Sequence, residues 1–201
     1  MIRTILFDIG NVLVPFDFKR GYTGLAARCR CAAEQIPARI RATGLVPRFE
    51  TGQVEARQFV EQLSAALELD IGYEEFCELW SSIFLPGGLI PEDLIEGLRG
   101  RYRLLVLSNT NSIHFPMVQA NYPVLRHFDG FVLSYEVGAA KPSPEIFDAA
   151  IAKAECGADE CFFTDDLAIN VDAAREQGMD AVQFQSAGQI EAELRKRGLL
   201  L

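Results

Sequence analysis

Histidine is nearly missing from this chain. There are two, His114 and His127, and the five cysteines (Cys29, Cys31, Cys77, Cys156 and Cys161) contain no Cys-x-x-Cys pair. Zinc sites draw on several such ligands at close spacing, so a structural zinc is poorly supplied. The cysteine count is odd, and on a helix Cys29 and Cys31 would point to different faces. All five are expected as reduced thiols of a cytoplasmic protein. Basic residues are also short, with 19 Lys and Arg against 28 Asp and Glu and a net charge of −9. That balance offers no broad positive face, so neither nucleic acid nor an anionic membrane is an expected partner. An anionic ligand would need positive charge supplied locally. Long apolar runs are absent as well. The N-terminal stretch MIRTILFDIGNVL is cut by Asp8. It is too short and too charged to span a bilayer, and no signal-type cleavage site follows it.

What remains is ordinary globular composition, 49% hydrophobic and 23% charged over 201 residues. Ile2 to Phe7 is an apolar run without strict alternation, as in a strand buried on both faces of a parallel sheet. From Phe16 to Leu85 the pattern turns helical. Ala56, Phe59, Leu63 and Ala66 recur at helical spacing, as do Phe76, Leu79, Trp80 and Ile83 within Tyr73 to Phe84. Gly44, Pro47, Gly52 and Gly72 are expected to separate such helices. After Pro86-Gly87-Gly88, strands and helices alternate. Strands are predicted at Arg103–Leu107, Gly130–Leu133, Cys161–Thr164 and Ala181–Phe184. Helices are predicted at Pro91–Leu98, from after Asn109 through Gln119, and at Ser143–Ala154, Ala168–Gln177 and Gln189–Arg197. The fold class is therefore α/β: a doubly wound, Rossmann-like parallel sheet (residues 1–15 and 87–201) with an all-helical insertion (16–86).

Polar residues stand just past three predicted strands: Asp8, Ser108-Asn109 and Asp165-Asp166. In an open α/β sheet the C-terminal strand ends share one edge, where ligands bind. Lys141 lies in a Gly-Ala-Ala-Lys-Pro loop before a helix and could join them.

These stretches together resemble the haloacid dehalogenase-like hydrolases, a superfamily of mostly phosphatases. Phe-Asp8-Ile-Gly-Asn-Val, Val-Leu-Ser108-Asn-Thr, Lys141-Pro and Phe-Phe-Thr-Asp165-Asp166 occur in the order of its four motifs. Bacterial glucose-1-phosphate phosphatases and the phosphatase domain of soluble epoxide hydrolases are the nearest in pattern. Phe49-Glu-Thr-Gly-Gln-Val is similar to a stretch in the former. The resemblance implies a cap of the family's first type and a small phosphorylated metabolite as substrate; the oligomeric state stays open. It implies that Asp8 is a carboxylate nucleophile forming an aspartyl-phosphate. It also implies Mg²⁺ held by Asp8, the Gly10 carbonyl and Asp166, with Asp165 acting through water. Ser108 through its hydroxyl and Asn109 through its N–H would bind phosphoryl oxygens, beside the N-terminus of a following helix. Lys141 would neutralise the phosphate and Asp8, and Asn170 would orient a metal-bound water. Arg48, Phe49 and Trp80 are specificity candidates, though each reads more simply as helix core or solvated arginine.

One position departs from the pattern. Family phosphatases usually carry a second aspartate two residues after the nucleophile, as acid and then base; here it is Gly10. Such help is worth roughly 10²–10⁴ in rate. Either the substrate has a good leaving group, such as a sugar 1-phosphate, or another group such as Asp17 substitutes, or activity is lost and a phosphate-binding module remains. The resembling glucose-1-phosphate phosphatases also carry glycine there. A 2-haloacid dehalogenase lacks the acid too, but it needs no metal and lacks the Asp165-Asp166 pair.

Overall fold

The computed structural model describes residues 1–29 and 31–200. Five strands form one all-parallel sheet: β1 (Thr4–Phe7), β2 (Arg103–Ser108), β3 (Gly130–Leu133), β4 (Cys161–Asp165) and β5 (Asp180–Gln183). Their order is β3-β2-β1-β4-β5. The chain steps outward from β1 to β3, then crosses back to place β4 on the other side of β1. The switch point thus falls at β1, where doubly wound sheets bind ligands. Ile5, Phe7, Leu104, Val106 and Phe162 pack on one face, and Leu6, Leu105, Leu107 and Phe163 on the other. Burial on both faces is why these strands read as continuous apolar runs.

Between β1 and β2 come α1 (Phe18–Ala26), α2 (Ile36–Thr43), α3 (Leu45–Glu50), α4 (Ala56–Leu67), α5 (Tyr73–Ser81) and α6 (Glu92–Leu98). The first five enclose an apolar cluster of their own, centred on Leu25, Ile40, Phe49, Phe59, Leu63 and Phe76. Phe49 stacks on Phe59 with ring centroids 4.2 Å apart. Further on lie α7 (His114–Asn121), α8 (Ser134–Val137), α9 (Pro144–Ala154), α10 (Ala168–Glu176) and α11 (Ala187–Lys196). α6, α7 and α11 cover one face of the sheet, and α9 and α10 the other.

Three details differ from the sequence-based expectation. Pro47 does not separate helices; it sits in the first turn of α3, where its missing N–H has no intrahelical acceptor to lose. The helix expected from Tyr73 to Phe84 ends at Ser81. Cys29 and Cys31 are not reduced thiols on opposite helix faces. They lie beyond the end of α1, their Cα atoms 5.4 Å apart, and their sulfurs are joined. Once the chain leaves helical geometry, a spacing of two no longer keeps side chains apart. Cys77, Cys156 and Cys161 are free. Among the described residues, no helix is long and apolar enough to cross a membrane.

Candidate active site

Sheet register brings the strand ends together. Phe7 pairs with Val106 on β2 and with Thr164 on β4, so one step on Asp8 falls beside Leu107 and Asp165. Lys141, in the loop before α9, reaches across all three. Its Nζ donates to the Leu107 carbonyl (2.8 Å) and to Asp165 Oδ2 (2.6 Å), and lies 2.9 Å from Asp8 Oδ1. One buried ammonium therefore ties the ends of β1, β2 and β4. Burial by itself would pull the Lys141 pKa down, but Asp8 and Asp165 outweigh it and hold the group above its usual value. It stays charged at neutral pH.

The carboxylates divide into engaged and open ones. Asp165 is fully buried. Besides Lys141, it accepts at Oδ1 from the Leu167 N–H (2.9 Å) and from Asn170 Nδ2 (3.0 Å). Asn170 is thus turned toward Asp165. Asp166 is half-buried and lines a cavity of about 650 Å³ with Asp8, Gly10, Asn109, Lys141 and Asn170. Burial raises Asp166 above the ordinary carboxylate range, and Asp165 adds to this. Burial lifts Asp8 to about 6 against the pull of Lys141. Asp8 Oδ1 is close to Lys141 as an ion pair, yet has no aligned hydrogen-bond donor.

Oxygens of Asp8, Asp165 and Asp166 all lie within 4.8 Å of one another. Three carboxylates face one ammonium, so a phosphate entering here would meet net negative charge. An all-oxygen donor set with a buried carboxylate oxygen lacking a hydrogen-bond donor fits a hard divalent cation such as Mg²⁺.

Ser108 ends β2, is buried, and lines a smaller adjoining cavity of about 70 Å³; Asn109 borders both. The Asn109 side chain has a part that its motif did not suggest. Its Nδ2 donates to the Lys141 carbonyl (2.9 Å), and its Oδ1 accepts from the Lys141 N–H (2.7 Å). This two-way clamp fixes the loop that carries the lysine. The helix N-terminus expected beside Ser108 and Asn109 is set back: α7 begins at His114. The N–H groups of Ile113 and His114 are already taken by Asn111 Oδ1 (3.1 and 2.9 Å).

Gly10 borders both cavities, and the Phe16 ring stands over it. A Cβ there would come within 2.7 Å of Phe16 Cε1. Asp17 lines the larger cavity; it is exposed and N-caps α1, accepting from the Lys19 N–H at 2.9 Å. Of the specificity candidates, Arg48 is exposed and Phe49 is packed in the insertion's core; neither lines these two cavities or the third, inside the insertion. Trp80 belongs to that core and borders only the third, an apolar cavity of about 280 Å³. Their neighbour Glu50, passed over in the sequence, borders all three cavities. Its sequence signals are its place in the resembling stretch Phe49-Glu-Thr-Gly-Gln-Val and its position between a buried aromatic anchor, Phe49, and the turn at Gly52.

Known proteins point the same way. Residues 2–178 match the family of haloacid dehalogenase-like hydrolases. D-ribitol-5-phosphate phosphatase from Bacteroides thetaiotaomicron is 30% identical over 96% of this chain and 97% of its own. A crystal structure of a family enzyme from the same organism, complexed with magnesium and inorganic phosphate, superposes with a TM-score of 0.82 at 29% identity, covering 92% of this chain and 96% of that one. A hydrolase of this kind from Porphyromonas gingivalis superposes at 0.83 with 26% identity over 98% of each chain. The match covers most of the chain, sheet and strand ends included: this chain belongs to the haloacid dehalogenase-like hydrolases.

Proposed function

We propose that the chain is a Mg²⁺-dependent phosphatase that removes phosphate from a small phosphomonoester, with Asp8 as nucleophile. The observation that carries this reading is the Asp8 carboxylate at the end of β1, 2.9 Å from a buried lysine and grouped with Asp165 and Asp166. Asp8 forms the bond to phosphorus, the ester alcohol departs, and water then cleaves the aspartyl-phosphate. Lys141 offsets charge on Asp8 and on the phosphoryl group. Ser108 and Asn109 bind phosphoryl oxygens. Asp8, the Gly10 carbonyl and Asp166 would hold the Mg²⁺, with Asp165 supporting them, and the cation would supply charge to neutralise the anionic ester. Asp166 borders the cavity while Asp165 is already engaged, which supports that division.

Residues 16–86 act as a cap over a core of 1–15 and 87–201, excluding water from the site. The substrate class is a sugar or sugar-alcohol phosphate. A sugar 1-phosphate is favoured only by the glycine at position 10, whereas the ribitol phosphatase relative is named for a 5-phosphate.

Phosphate release from a panel of phosphorylated sugars and polyols tests this. Asp8→Asn is expected to lower turnover by about 10⁴ or more, and EDTA to abolish it until Mg²⁺ is restored. Full activity without metal would favour dehalogenase-type chemistry. No Asp8-dependent release from any ester would leave a phosphate-binding module.

A further inference from the structure

A phosphatase reading leaves the leaving group without a proton donor, and the geometry shows where one cannot come from. Position 10 carries no side chain, and the Phe16 ring stands where one would emerge, its Cε1 only 2.7 Å from where a Cβ would sit. The Phe16 ring is packed edge-on against Phe18 (4.9 Å) and Phe84 (6.3 Å), and its backbone bridges to Phe84. Asp17 is exposed and committed to capping α1. His114 borders the smaller cavity, but both ring nitrogens are used: Nε2 with the Trp80 carbonyl (3.1 Å) and Nδ1 with Asn111 Nδ2 (3.2 Å). Burial lowers its pKa to about 4, so it is neutral.

Glu50 is the remaining acid. It ends α3 and borders the cavity that holds Asp8, Lys141 and Asp166. Among the described residues its carboxyl has no hydrogen-bond or ion-pair partner, and burial alone shifts it. Two contacts hold its segment in place. Phe49 is anchored on Phe59, and the turn after Glu50 docks so closely that a Cβ on Gly52 would lie 2.3 Å from the Tyr135 carbonyl oxygen. The ionisable groups bordering the same cavities are Asp8, Lys141 and Asp166 from the strand-end side, Asp17, Lys19 and Tyr22 from α1 and its cap, Arg41 from α2, and His114 from α7.

We infer that Glu50 is the general acid and base of the reaction, supplied from the helical insertion in place of the motif aspartate. This deepens the phosphatase reading and rests on it. The Glu50 carboxylic acid gives its proton to the bridging oxygen as the phosphorus–oxygen bond breaks and the Asp8–phosphorus bond forms, so the alcohol leaves neutral. The Glu50 carboxylate then takes a proton from the water whose oxygen attacks phosphorus. The bond to Asp8 breaks, phosphate departs, and both side chains are restored. Burial holds the Glu50 carboxyl near 7, about where an acid that must also serve as base works best at neutral pH.

The test uses p-nitrophenyl, phenyl and benzyl phosphate with Mg²⁺, in order of worsening leaving group. None has a hydroxyl for Glu50 to bind, so the series isolates proton donation. Glu50→Gln is expected to lose roughly 10²–10⁴ in kcat/KM on benzyl phosphate and much less on the p-nitrophenyl ester, and to lose the fall in benzyl phosphate kcat/KM above about pH 7. Retained p-nitrophenyl phosphate activity also shows that the variant is folded. Equal losses of kcat/KM on all three esters, or none, would overturn the role of Glu50 and leave the phosphatase reading standing. Wild-type activity no higher than that of Asp8→Ala on every ester would retire both.

Discussion

The sheet edge and the helical insertion build their parts of the site in opposite ways. At the edge, polar groups are densely partnered: Lys141 touches the ends of three strands, and Asp165 engages Lys141, Leu167 and Asn170. In the insertion the surroundings are aromatic, with Phe49, Phe59, Phe76 and Trp80 packed ring against ring, and Glu50 has no polar partner among the described residues. Partners keep the Lys141 ammonium charged, while their lack keeps the Glu50 carboxyl protonated up to about 7. An attacking carboxylate and its counter-charge need the first environment. A proton donor needs the second.

Removing the hub of the partnered region should have the largest effect on stability. Lys141→Met leaves Asp8 and Asp165 buried without their counter-charge. Loss of one member of a buried ion pair costs about 3–5 kcal/mol, and urea unfolding at pH 7 should show a loss of this size together with loss of activity. The sign of its pH dependence follows from Asp8, whose folded pKa is already raised to about 6 by burial and would rise further without Lys141. A raised carboxyl pKa means that the folded state holds its proton longer than the unfolded chain, so stability is lost as pH climbs through that range. The deficit of Lys141→Met should therefore shrink at pH 5. A deficit that stays constant would show that the triad is held by packing rather than charge.

Glu50→Gln should act in the opposite direction. The wild-type carboxyl has a folded pKa of about 7 against an ordinary 4.5, because it is buried. Between those values the unfolded chain gives up its proton and the folded protein keeps it, so wild-type stability falls as pH rises from 4.5 to 7 and stays low above. Gln has no proton to lose. Glu50→Gln should gain on wild type by at most about 3 kcal/mol between about pH 4 and pH 8, as expected of a residue that costs stability for function. Parallel stability curves for the two proteins would mean that Glu50 is solvated like any surface acid.

The same contrast explains what can be read from the sequence. Asp8, Ser108, Lys141 and Asp165 announce themselves because each follows an apolar strand or opens a turn, and a parallel sheet must gather its strand ends on one edge. The strands from Gly130 to Leu133 and near Cys161, and the helix from Ala56 to Leu67, are legible for the same reason: short apolar runs and helical periodicity bounded by Gly and Pro. Glu50 is marked only by its place in the stretch Phe49-Glu-Thr-Gly-Gln-Val, a resemblance that assigns it no chemistry. It is one glutamate among many on polar helix faces, and only tertiary packing makes it different. The Asn109 clamp is hidden because it joins residues 32 apart through backbone atoms. The pairing of Cys29 with Cys31 escapes any reading that carries helical spacing past the end of α1.

A pair of glycines gives the finest test of how the insertion positions its acid. Gly44 and Gly52 flank α3, and both have left-handed backbones, with φ of 62° and 67°. A side chain in that conformation costs about 1–2 kcal/mol. Gly44 has nothing within 4 Å of a Cβ, whereas a Cβ on Gly52 would meet the Tyr135 carbonyl oxygen at 2.3 Å. Gly44→Ala should therefore lower stability by about 1–2 kcal/mol and leave kinetics alone. Gly52→Ala carries the same strain and must also lift the turn off Tyr135, shifting the end of α3 that bears Glu50. Its kcat/KM on benzyl phosphate should fall further than on p-nitrophenyl phosphate, a smaller copy of the Glu50→Gln pattern. Identical kinetics in the two alanine variants would mean that the docked turn does not govern where the glutamate stands.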